Sequence, residues 1–253
     1  MKVGTWNVNG IRARQAQVLE FIEQEKPDVF CLQEIKASID QLTFDLRDIE
    51  GYWGHWHGGK GYSGVALLFA KSFADPCPTL VHPLFDFEQR VCTAAVPSAA
   101  GEITFASIYV PNGGKDFAAK MRFLEGIETW VAEAHAVGKS IVICGDLNVA
   151  RSDIDIHPKE RKPNQVGARK EERALFEQIL SHNLVDIGRA MDPTNENLFT
   201  WWAPWRNLRQ RNIGWRIDYV LASAPVAGKI RSIIVQREFG TSDHGPVVAE
   251  FDI

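Results

Sequence analysis

The most constraining feature of the sequence is a short apolar run that ends in a carboxylate. The residues IVIC at 141–144 are followed by Gly145, Asp146 and Asn148. A run this short, rich in β-branched residues, favours a buried strand over a helix. The carboxyl end of a buried strand is a common place for chemistry, and a partly desolvated carboxylate there needs a cation or a donor. A turn that uses Asp and Asn only for backbone geometry is the alternative.

Other predicted strands also end in polar side chains. The segment DVFCLQE ends at Glu34, the alternating N-terminal segment carries Asn7, and the segment ITFASIYV leaves Tyr109 near its end. Two apolar runs that each end in an acid are expected to place Glu34 and Asp146 near each other at the rim of a sheet. Taken singly, Glu34 also fits an exposed strand-end acid, and Tyr109 fits a core aromatic with a satisfied hydroxyl.

The C-terminal half adds two acids and a histidine. Asp218 falls in the middle of the predicted strand GWRIDYVLA, where it needs a partner, and Asp243 and His244 lie in the turn TSDHGP before the last predicted strand at 247–251. The polar inventory is Asn7, Glu34, Asp146, Asn148, Asp218, Asp243 and His244. Hard oxygen ligands of this kind suit magnesium or manganese better than zinc. Because the sequence shows no serine elbow, cysteine-histidine pair or glycine-rich nucleotide loop, metal-assisted attack of water on a phosphoester is the chemistry that remains.

Helical periodicity is confined to a few segments that separate groups of strands. An amphipathic helix is predicted over 117–137, with Gly138 as its cap, and another over 171–180. Many buried strands with few long helices predict an α/β (α+β) fold in which two packed sheets have helices outside. We expect a single domain over residues 1–253, because no linker-like segment divides the chain.

Charge and composition limit the partners that the chain can have. The net charge is −4, which argues against a basic nucleic-acid binder as a whole. Two loops are nevertheless locally basic: residues 159–170 hold five cations against one anion, and residues 206–216 hold four cations and no anion. Such loops suit a phosphate-backbone ligand held on one face, although solvated loops are the plainer interpretation.

The cysteines, the histidines and the apolar segments bear on location and metal type. The four cysteines are Cys31, Cys77, Cys92 and Cys144. Their spacing predicts buried reduced thiols in a cytoplasmic protein rather than disulfides or a zinc site. His55 and His57 share one face of a predicted strand, but without a third nitrogen ligand packing is favoured over zinc. No run of about 20 apolar residues and no signal-peptide pattern are present in the sequence, so we expect no membrane association.

Six motifs, TWNVNG, LQE, YVPN, GDLN, GWRIDYVLAS and SDH, follow one another over essentially the whole chain. In their order and spacing the chain resembles the exodeoxyribonuclease III / apurinic-apyrimidinic (AP) endonuclease family of the endonuclease/exonuclease/phosphatase superfamily. The resemblance implies a four-layer α-β-β-α sandwich, Mg²⁺ with Mn²⁺ as an alternative, and cleavage of double-stranded DNA 5′ to abasic sites. It also implies 3′–5′ exonuclease and 3′-phosphodiesterase or phosphatase activity. No protein partner is indicated, and a monomer is the default expectation.

The resemblance also implies roles for single residues. The implied catalytic residues are Tyr109, Asp146, Asn148, Asp218 and His244. The implied metal-site residues are Asn7, Glu34, Asp146, Asn148, Asp243 and His244. Glu34 resembles the main metal ligand and Asp146 the residue that positions or deprotonates the attacking water. His244 resembles a phosphate-oxygen donor held by Asp218. The identity of the general base stays open.

The implied DNA contacts lie in the aromatic and basic loops. They are Asn112, Lys115, Trp201, Trp205, Arg206, Arg209, Trp215 and Ile217. Trp201, Trp215 and Ile217 match the family's apolar pocket for a flipped-out abasic sugar. Trp205 matches a residue that wedges into the duplex, and Arg206 is expected with Arg209 to hold phosphates beside it.

Two departures and two rival functions accompany the resemblance. Asn9 stands where some relatives carry Asp, and Ala168 stands where an aromatic residue is expected in many members. These differences affect metal affinity and the wall of the abasic pocket. A phosphatase or phospholipase of the same superfamily, acting on lipid or small phosphoesters, is one rival. A catalytically idle DNA-binding module is the other, but it would require the loss of a site residue.

Overall fold

Two six-stranded mixed β-sheets stack face to face in the computed structural model, which describes residues 1–59, 61–98 and 101–253. The strands are β1 Lys2–Asn7, β2 Val29–Gln33, β3 Tyr52–His57, β4 Val65–Ala70, β5 Leu80–Val81, β6 Val91–Ser98, β7 Gly101–Tyr109, β8 Ser140–Asp146, β9 Leu184–Asp186, β10 Asp218–Ser223, β11 Ile230–Val235 and β12 Val247–Phe251. The α-helices are α1 Gln15–Glu25, α2 Phe44–Arg47, α3 Phe117–Ala136, α4 Lys170–Ser181, α5 Ile187–Met191 and α6 Ala224–Ala227. Short 3₁₀ helices cover Ile11–Ala13, Ile39–Gln41, Asp153–Asp155 and Pro158–Glu160.

The strand order is β11-β12-β1-β2-β4-β3 in the first sheet and β5-β6-β7-β8-β10-β9 in the second. Helix α1 packs on the outer face of the first sheet, and α3 and α4 pack on the outer face of the second. The predicted four-layer α-β-β-α sandwich is therefore confirmed. Each sheet contains one parallel pair near its centre, β1 with β2 and β7 with β8.

The central strands are largely apolar because both of their faces are covered. In β8, Val142 and Cys144 face the core between the two sheets, whereas Ile141 and Ile143 face α3 and α4. A strand covered on both sides has no solvent face for alternating polar residues. Burial on both faces thus explains why the run IVIC lacks the polar alternation of an exposed sheet.

Strand direction positions the functional rim. Parallel strands end at the same edge, and the register pairs Asn7 with Gln33 in one sheet and Tyr109 with Asp146 in the other. Gly145 allows β7 and β8 to approach closely there, since a Cβ at its φ of +145° would lie 2.0 Å from the carbonyl oxygen of Ile108. The polar ends of four strands therefore meet at one rim of the sandwich.

The structure corrects two sequence expectations. Asp218 is the first residue of β10, opposite Asp146, and not a mid-strand residue. The strand begins there because the preceding residues bond instead to the loop that carries Trp201. Cys77 is exposed, whereas the other three cysteines are buried, and all four are free thiols. None of the helices in the described parts of the chain is both long and apolar enough to cross a bilayer.

Candidate active site

Two carboxylates and a histidine from three different strand ends converge at the rim. Glu34, Asp146 and His244 each offer a potential ligand atom, and these atoms lie within 4.8 Å of one another. Glu34 follows β2 with a left-handed backbone at φ +49°, and its side chain is 16% exposed. Asp146 ends β8 and is 1% exposed. Backbone strain at a non-glycine residue persists only where the surroundings fix it, and here it turns the Glu34 side chain into the site.

Asn7 links the two carboxylates. Its side-chain amide nitrogen donates to Glu34 Oε1 at 2.9 Å and to Asp146 Oδ2 at 2.9 Å, while its oxygen accepts the Asn9 N–H at 2.9 Å. Asn7 therefore orients the two carboxylates from which a metal would be held, and its expected part in the metal site stays a prediction. Lys36 Nζ lies 2.7 Å from Glu34 Oε2 and compensates part of its charge.

His244 is held by Asp218 from behind. The Asp218 carboxylate accepts from His244 Nδ1 at 2.9 Å, and the other ring nitrogen, Nε2, lies 3.9 Å from Asp146 Oδ2. The carbonyl oxygen of His244 accepts the indole N–H of Trp6 at 3.1 Å, which fixes the backbone on the other side. The ring can thus turn only one nitrogen, Nε2, toward the rim.

Burial and charge set the protonation of these groups. Burial and the neighbouring Asp218 carboxylate raise the pKa of Asp146 to about 8. Burial lowers the pKa of His244, but Asp218 outweighs it, and the pKa of His244 is raised to about 10. Burial, with Glu34 and Asp146 nearby, raises the pKa of Tyr109, so that its phenol stays protonated. The site therefore combines a charged imidazolium donor with an Asp146 carboxyl whose ionisation is opposed by burial and by Asp218.

Asn148 and Asn112 complete the polar wall. Asn148, at φ +50°, donates its backbone N–H to Asp146 Oδ1 at 2.9 Å and its side-chain amide to the carbonyl oxygen of Val110 at 2.9 Å. Asn112 donates its amide to Asn148 Oδ1 at 3.3 Å. The YVPN and GDLN motifs are therefore joined side chain to side chain.

Lys120 is a positioning residue that the sequence reading missed. Its ammonium group, which has no exposed surface, donates to the carbonyl oxygens of Asn112 and Asn148 and pairs with Glu172 on α4. The signal in the sequence is a lysine on the buried stripe of the α3 helix, three residues before Phe123. A charge at such a position needs a buried partner.

A pocket with a polar and an apolar side contains the polar cluster. Its volume is about 430 Å³, and it is lined by side chains of both kinds, including Glu34, Tyr109, Asn112, Asp146, Asn148, Lys162, Trp201, Trp205, Trp215, Ile217, Asp243 and His244. Trp215 and Ile217 pack with Ala150 and Ile156, and the rings of Trp201 and Trp215 meet edge to face with centroids 6.4 Å apart. Ala168, at the place where an aromatic residue was expected, packs against this cluster.

Asp243 belongs to the pocket but not to the carboxylate cluster. Its two oxygens accept from Asn9 Nδ2 and Trp201 Nε1, both at 2.9 Å. Burial works against ionisation, but the charge of His244 and these hydrogen bonds hold the pKa of Asp243 below its usual value. Asp243 therefore anchors Trp201 and Asn9, and its expected part in the metal site stays a prediction.

The basic loop 206–216 is less available to DNA than its composition indicated. Arg209 donates to the carbonyl oxygens of Arg237, Phe239, Gly240 and Ser242, so its guanidinium holds two loops together. Arg216 is buried in ion pairs with acids, Asp155 and Asp186. The expectation that Arg209 holds a phosphate is corrected on this ground. Arg206, Arg211 and Lys115 are exposed, and Trp205 is 59% exposed at the pocket mouth.

The donor set fits a hard divalent cation. Glu34 and Asp146 present oxygens to the same small volume, and the pKa of Asp146 is raised in a way that a neighbouring cation would reverse. A charged His244, whose Nε2 carries a proton, would donate a hydrogen bond rather than bind an ion. The residues therefore fit a metal held by the two carboxylates.

Comparison with known proteins agrees with this geometry. The model of the Endonuclease/Exonuclease/phosphatase family matches residues 4–244. The Exodeoxyribonuclease of Bacillus subtilis is 31% identical over 252 residues, which cover 98% of this chain and 98% of that protein. Recombination repair protein 1 of Drosophila melanogaster is 32% identical over 258 residues, and the chain spans 37% of its length.

Among solved structures, an AP endonuclease from Archaeoglobus fulgidus superposes with a TM-score of 0.87 at 29% identity and covers 100% of both chains. The likeness extends over the whole sandwich, including the strand ends that form the rim. The resemblance drawn from the six motifs is thereby confirmed. The chain belongs to the endonuclease/exonuclease/phosphatase family.

Proposed function

We propose that residues 1–253 act as one domain, a divalent-metal-dependent DNA repair nuclease that hydrolyses the phosphodiester 5′ to an abasic site in double-stranded DNA. The proposal rests on one pocket in which a polar side and an apolar side adjoin. The cluster of Glu34, Asp146 and His244 lies at one side of a pocket whose other side is made by Trp201 and Trp215. A phosphate at the cluster would place the adjoining sugar in the apolar half.

The apolar half favours a nucleotide that lacks its base. An extruded deoxyribose needs little volume, whereas a full base would also have to fit against the edge-to-face indoles. Trp205 at the mouth is placed to stack against the duplex once the damaged nucleotide has left the helix. Two exposed cations, Lys162 in the pocket lining and Arg206 next to Trp205, suit flanking phosphates.

The hydrolytic step follows from which groups of the site can donate or accept a proton. A divalent ion on Glu34 and Asp146, Mg²⁺ or Mn²⁺ by the hardness of these ligands, supplies charge stabilisation when bound. Asp146 Oδ2 accepts a proton from the attacking water, and Asn148 fixes the orientation of that carboxylate. The water oxygen bonds to phosphorus as the bond from phosphorus to the 3′ oxygen breaks. The leaving 3′ oxygen takes a proton from solvent water, and the products are a 3′-hydroxyl and a 5′-phosphate on the abasic sugar.

The developing negative charge on the phosphate meets preplaced donors. His244 Nε2 faces the rim as a donor because Asp218 holds the other nitrogen. The protonated phenol of Tyr109 lies on the opposite side, against the guanidinium of Arg90. Removing one donor of this kind from a phosphoryl or acyl transfer site typically costs about 10²–10³ in rate.

The same site accommodates 3′ ends, so we include 3′–5′ exonuclease and 3′-phosphatase activity in the proposal. The name of the Bacillus subtilis relative is in keeping with the first of these. We place the protein in the cytoplasm as a monomer, where its four free thiols would stay reduced.

Substrate comparison tests the proposal. Purified protein with Mg²⁺ is given a duplex with one abasic analogue, the matched intact duplex, a phospholipid vesicle and a small phosphomonoester. Nicking 5′ to the lesion, faster than any cleavage of the intact duplex, is expected. Turnover of only the lipid or the monoester would support the phosphatase or phospholipase alternative, and binding without cleavage would support the idle DNA-binding module.

A further inference from the structure

A second group of metal-ligating side chains lies outside the active-site pocket. His57 ends β3, and His82 and Asp86 belong to the loop between β5 and β6. Each offers one ligand atom, and the three atoms lie within 4.8 Å of one another. We infer that His57, His82 and Asp86 form a binding site for a transition-metal ion of the zinc type, separate from the hard-cation site.

Asp86 is oriented for this role by the backbone. Its Oδ1 accepts the N–H groups of Arg90 at 2.7 Å and Val91 at 3.0 Å, which fixes the plane of the carboxylate. The other oxygen, Oδ2, is left toward His57 Nε2, 2.6 Å away. A carboxylate whose second oxygen is held by hydrogen bonds is the usual arrangement around a metal ligand.

His82 is oriented in the same way. Its Nδ1 lies 3.2 Å from the carbonyl oxygen of Val91, which calls for a proton on Nδ1 and leaves the lone pair on Nε2. Metal-binding histidines commonly donate their other N–H to a backbone carbonyl. The His82 ring lies 3.8 Å from that of His57, centroid to centroid, and it is exposed to solvent, so an ion can reach it.

An ordinary ion pair explains only part of this cluster. It accounts for His57 and Asp86 but gives no role to His82, whose ligand atom lies within 4.8 Å of the other two. One ion bound by two neutral imidazoles and a carboxylate engages all three side chains. Two nitrogens and one oxygen suit zinc-like ions, with a fourth position left for water.

Binding of an ion requires the three ligand atoms to shift. Ligand atoms bound at about 2.0–2.2 Å in a tetrahedral site lie about 3.3 Å apart. The His57–Asp86 separation of 2.6 Å therefore widens by about 0.7 Å when the ion replaces the hydrogen bond between them, and the separations to His82, which are within 4.8 Å, close by at most about 1.5 Å. The edge strand β3 and an exposed loop can absorb such a shift more easily than the sheet centre.

The site is connected to the active site through one loop. Asp86 holds the backbone N–H of Arg90, and the Arg90 guanidinium lies 4.7 Å from the centre of the Tyr109 ring. An ion that ties β3 to this loop therefore fixes the backbone that carries Arg90. The expected consequence is a more stable fold in zinc, independent of magnesium.

Cobalt titration tests the inference without any nuclease assay. Metal-stripped protein in excess Mg²⁺ is titrated with Co²⁺, and visible absorption reports tetrahedral coordination; Zn²⁺ is then added as competitor. We expect one equivalent of Co²⁺, displaced by Zn²⁺. His82→Gln should weaken zinc binding at least about tenfold, and His57→Gln should do the same.

Two control variants separate this site from its neighbours. His55→Gln removes a histidine of the same strand, which lies 3.8 Å from Cys77 Sγ, and Asp146→Asn alters the proposed hard-cation site. Both should keep the cobalt spectrum. Absence of a tetrahedral spectrum, unchanged zinc affinity in both ligand variants, or loss of binding in either control overturns the inference. None of these outcomes bears on DNA cleavage, which is measured separately.

Discussion

Replacing Lys120 with methionine tests whether a buried ion pair holds the active-site loops together. The Lys120 ammonium donates to the carbonyl oxygens of Asn148 at 2.6 Å and Asn112 at 3.2 Å and pairs with Glu172. Neither charged side chain has exposed surface. Methionine keeps the length of the side chain but leaves one carboxylate and two carbonyl groups without their donor.

The expected cost follows from these contacts. Removing one partner of a buried ion pair costs about 3–5 kcal/mol. The Glu172 carboxylate keeps the backbone N–H groups of Gly167 and Arg169, so we place the Lys120→Met loss near the lower end, about 3 kcal/mol. Adding Glu172→Gln removes the stranded charge, and the double variant should be more stable than Lys120→Met by at least about 1 kcal/mol.

Urea unfolding followed by tryptophan fluorescence measures both free energies. Lys139→Met, at an exposed lysine just after α3, is the matched control and should change stability by less than about 0.5 kcal/mol. DNA cleavage by Lys120→Met should also fall under conditions where the variant is folded, because two loops of the site lose their common anchor. A loss below about 1 kcal/mol, or a double variant no more stable than the single one, would refute the reasoning.

Three further predictions concern DNA contacts and charge. Trp205→Ala should weaken abasic-duplex affinity about tenfold in a fluorescence-anisotropy titration without lowering stability, since the side chain is 59% exposed; unchanged affinity would contradict stacking. Arg206→Ala should reduce the slope of log DNA affinity against log salt concentration by about one. Arg209→Ala should instead lower the melting temperature, because the Arg209 guanidinium binds backbone carbonyl groups. A salt effect in Arg209→Ala and a loss of stability in Arg206→Ala would exchange their roles. Burial opposes ionisation of Asp155, but Arg216 pulls the pKa of that carboxyl below its usual value. The stabilisation from the ionised Asp155 is fully present above the unfolded pKa of about 4 and is lost as pH falls through the folded pKa. The free energy of unfolding should therefore fall more steeply with acid in the wild type than in Asp155→Asn. Parallel curves of unfolding free energy against pH would contradict the pairing.

The sequence identified the rim of the sandwich because strand burial leaves a clear pattern. Continuous apolar runs such as IVIC mark strands covered on both faces, and the polar residue that ends each run lies at the edge of its sheet. Glu34 and Asp146 were expected together on this ground, and they converge. Parallel pairing of β1 with β2 and of β7 with β8 then brings in Asn7 and Tyr109.

Contacts between residues far apart in the chain leave no comparable pattern in the sequence. Arg209 and Arg216 looked alike as loop cations in the sequence. In the structure Arg209 binds backbone carbonyl groups, whereas Arg216 pairs with two buried acids. Composition alone cannot distinguish either arrangement from a solvated loop. His82 lies 25 positions after His57, so local spacing could not reveal that a second imidazole and the Asp86 carboxylate lie near His57. Asp218 was placed mid-strand because its neighbours are apolar, whereas hydrogen bonds to the preceding loop set where β10 begins.

The most direct test of the account is single-turnover cleavage of a duplex with one abasic analogue by the wild type and by Asp146→Asn, with the ends of the products mapped. We expect the wild type to nick the strand 5′ to the lesion and leave a 3′-hydroxyl, and we expect EDTA to abolish this cleavage. The Asp146→Asn variant, shown to be folded by circular dichroism, should be slower by a factor on the order of 10²–10⁴. Cleavage at the wild-type rate by Asp146→Asn, or a nick on the other side of the lesion, would contradict the account.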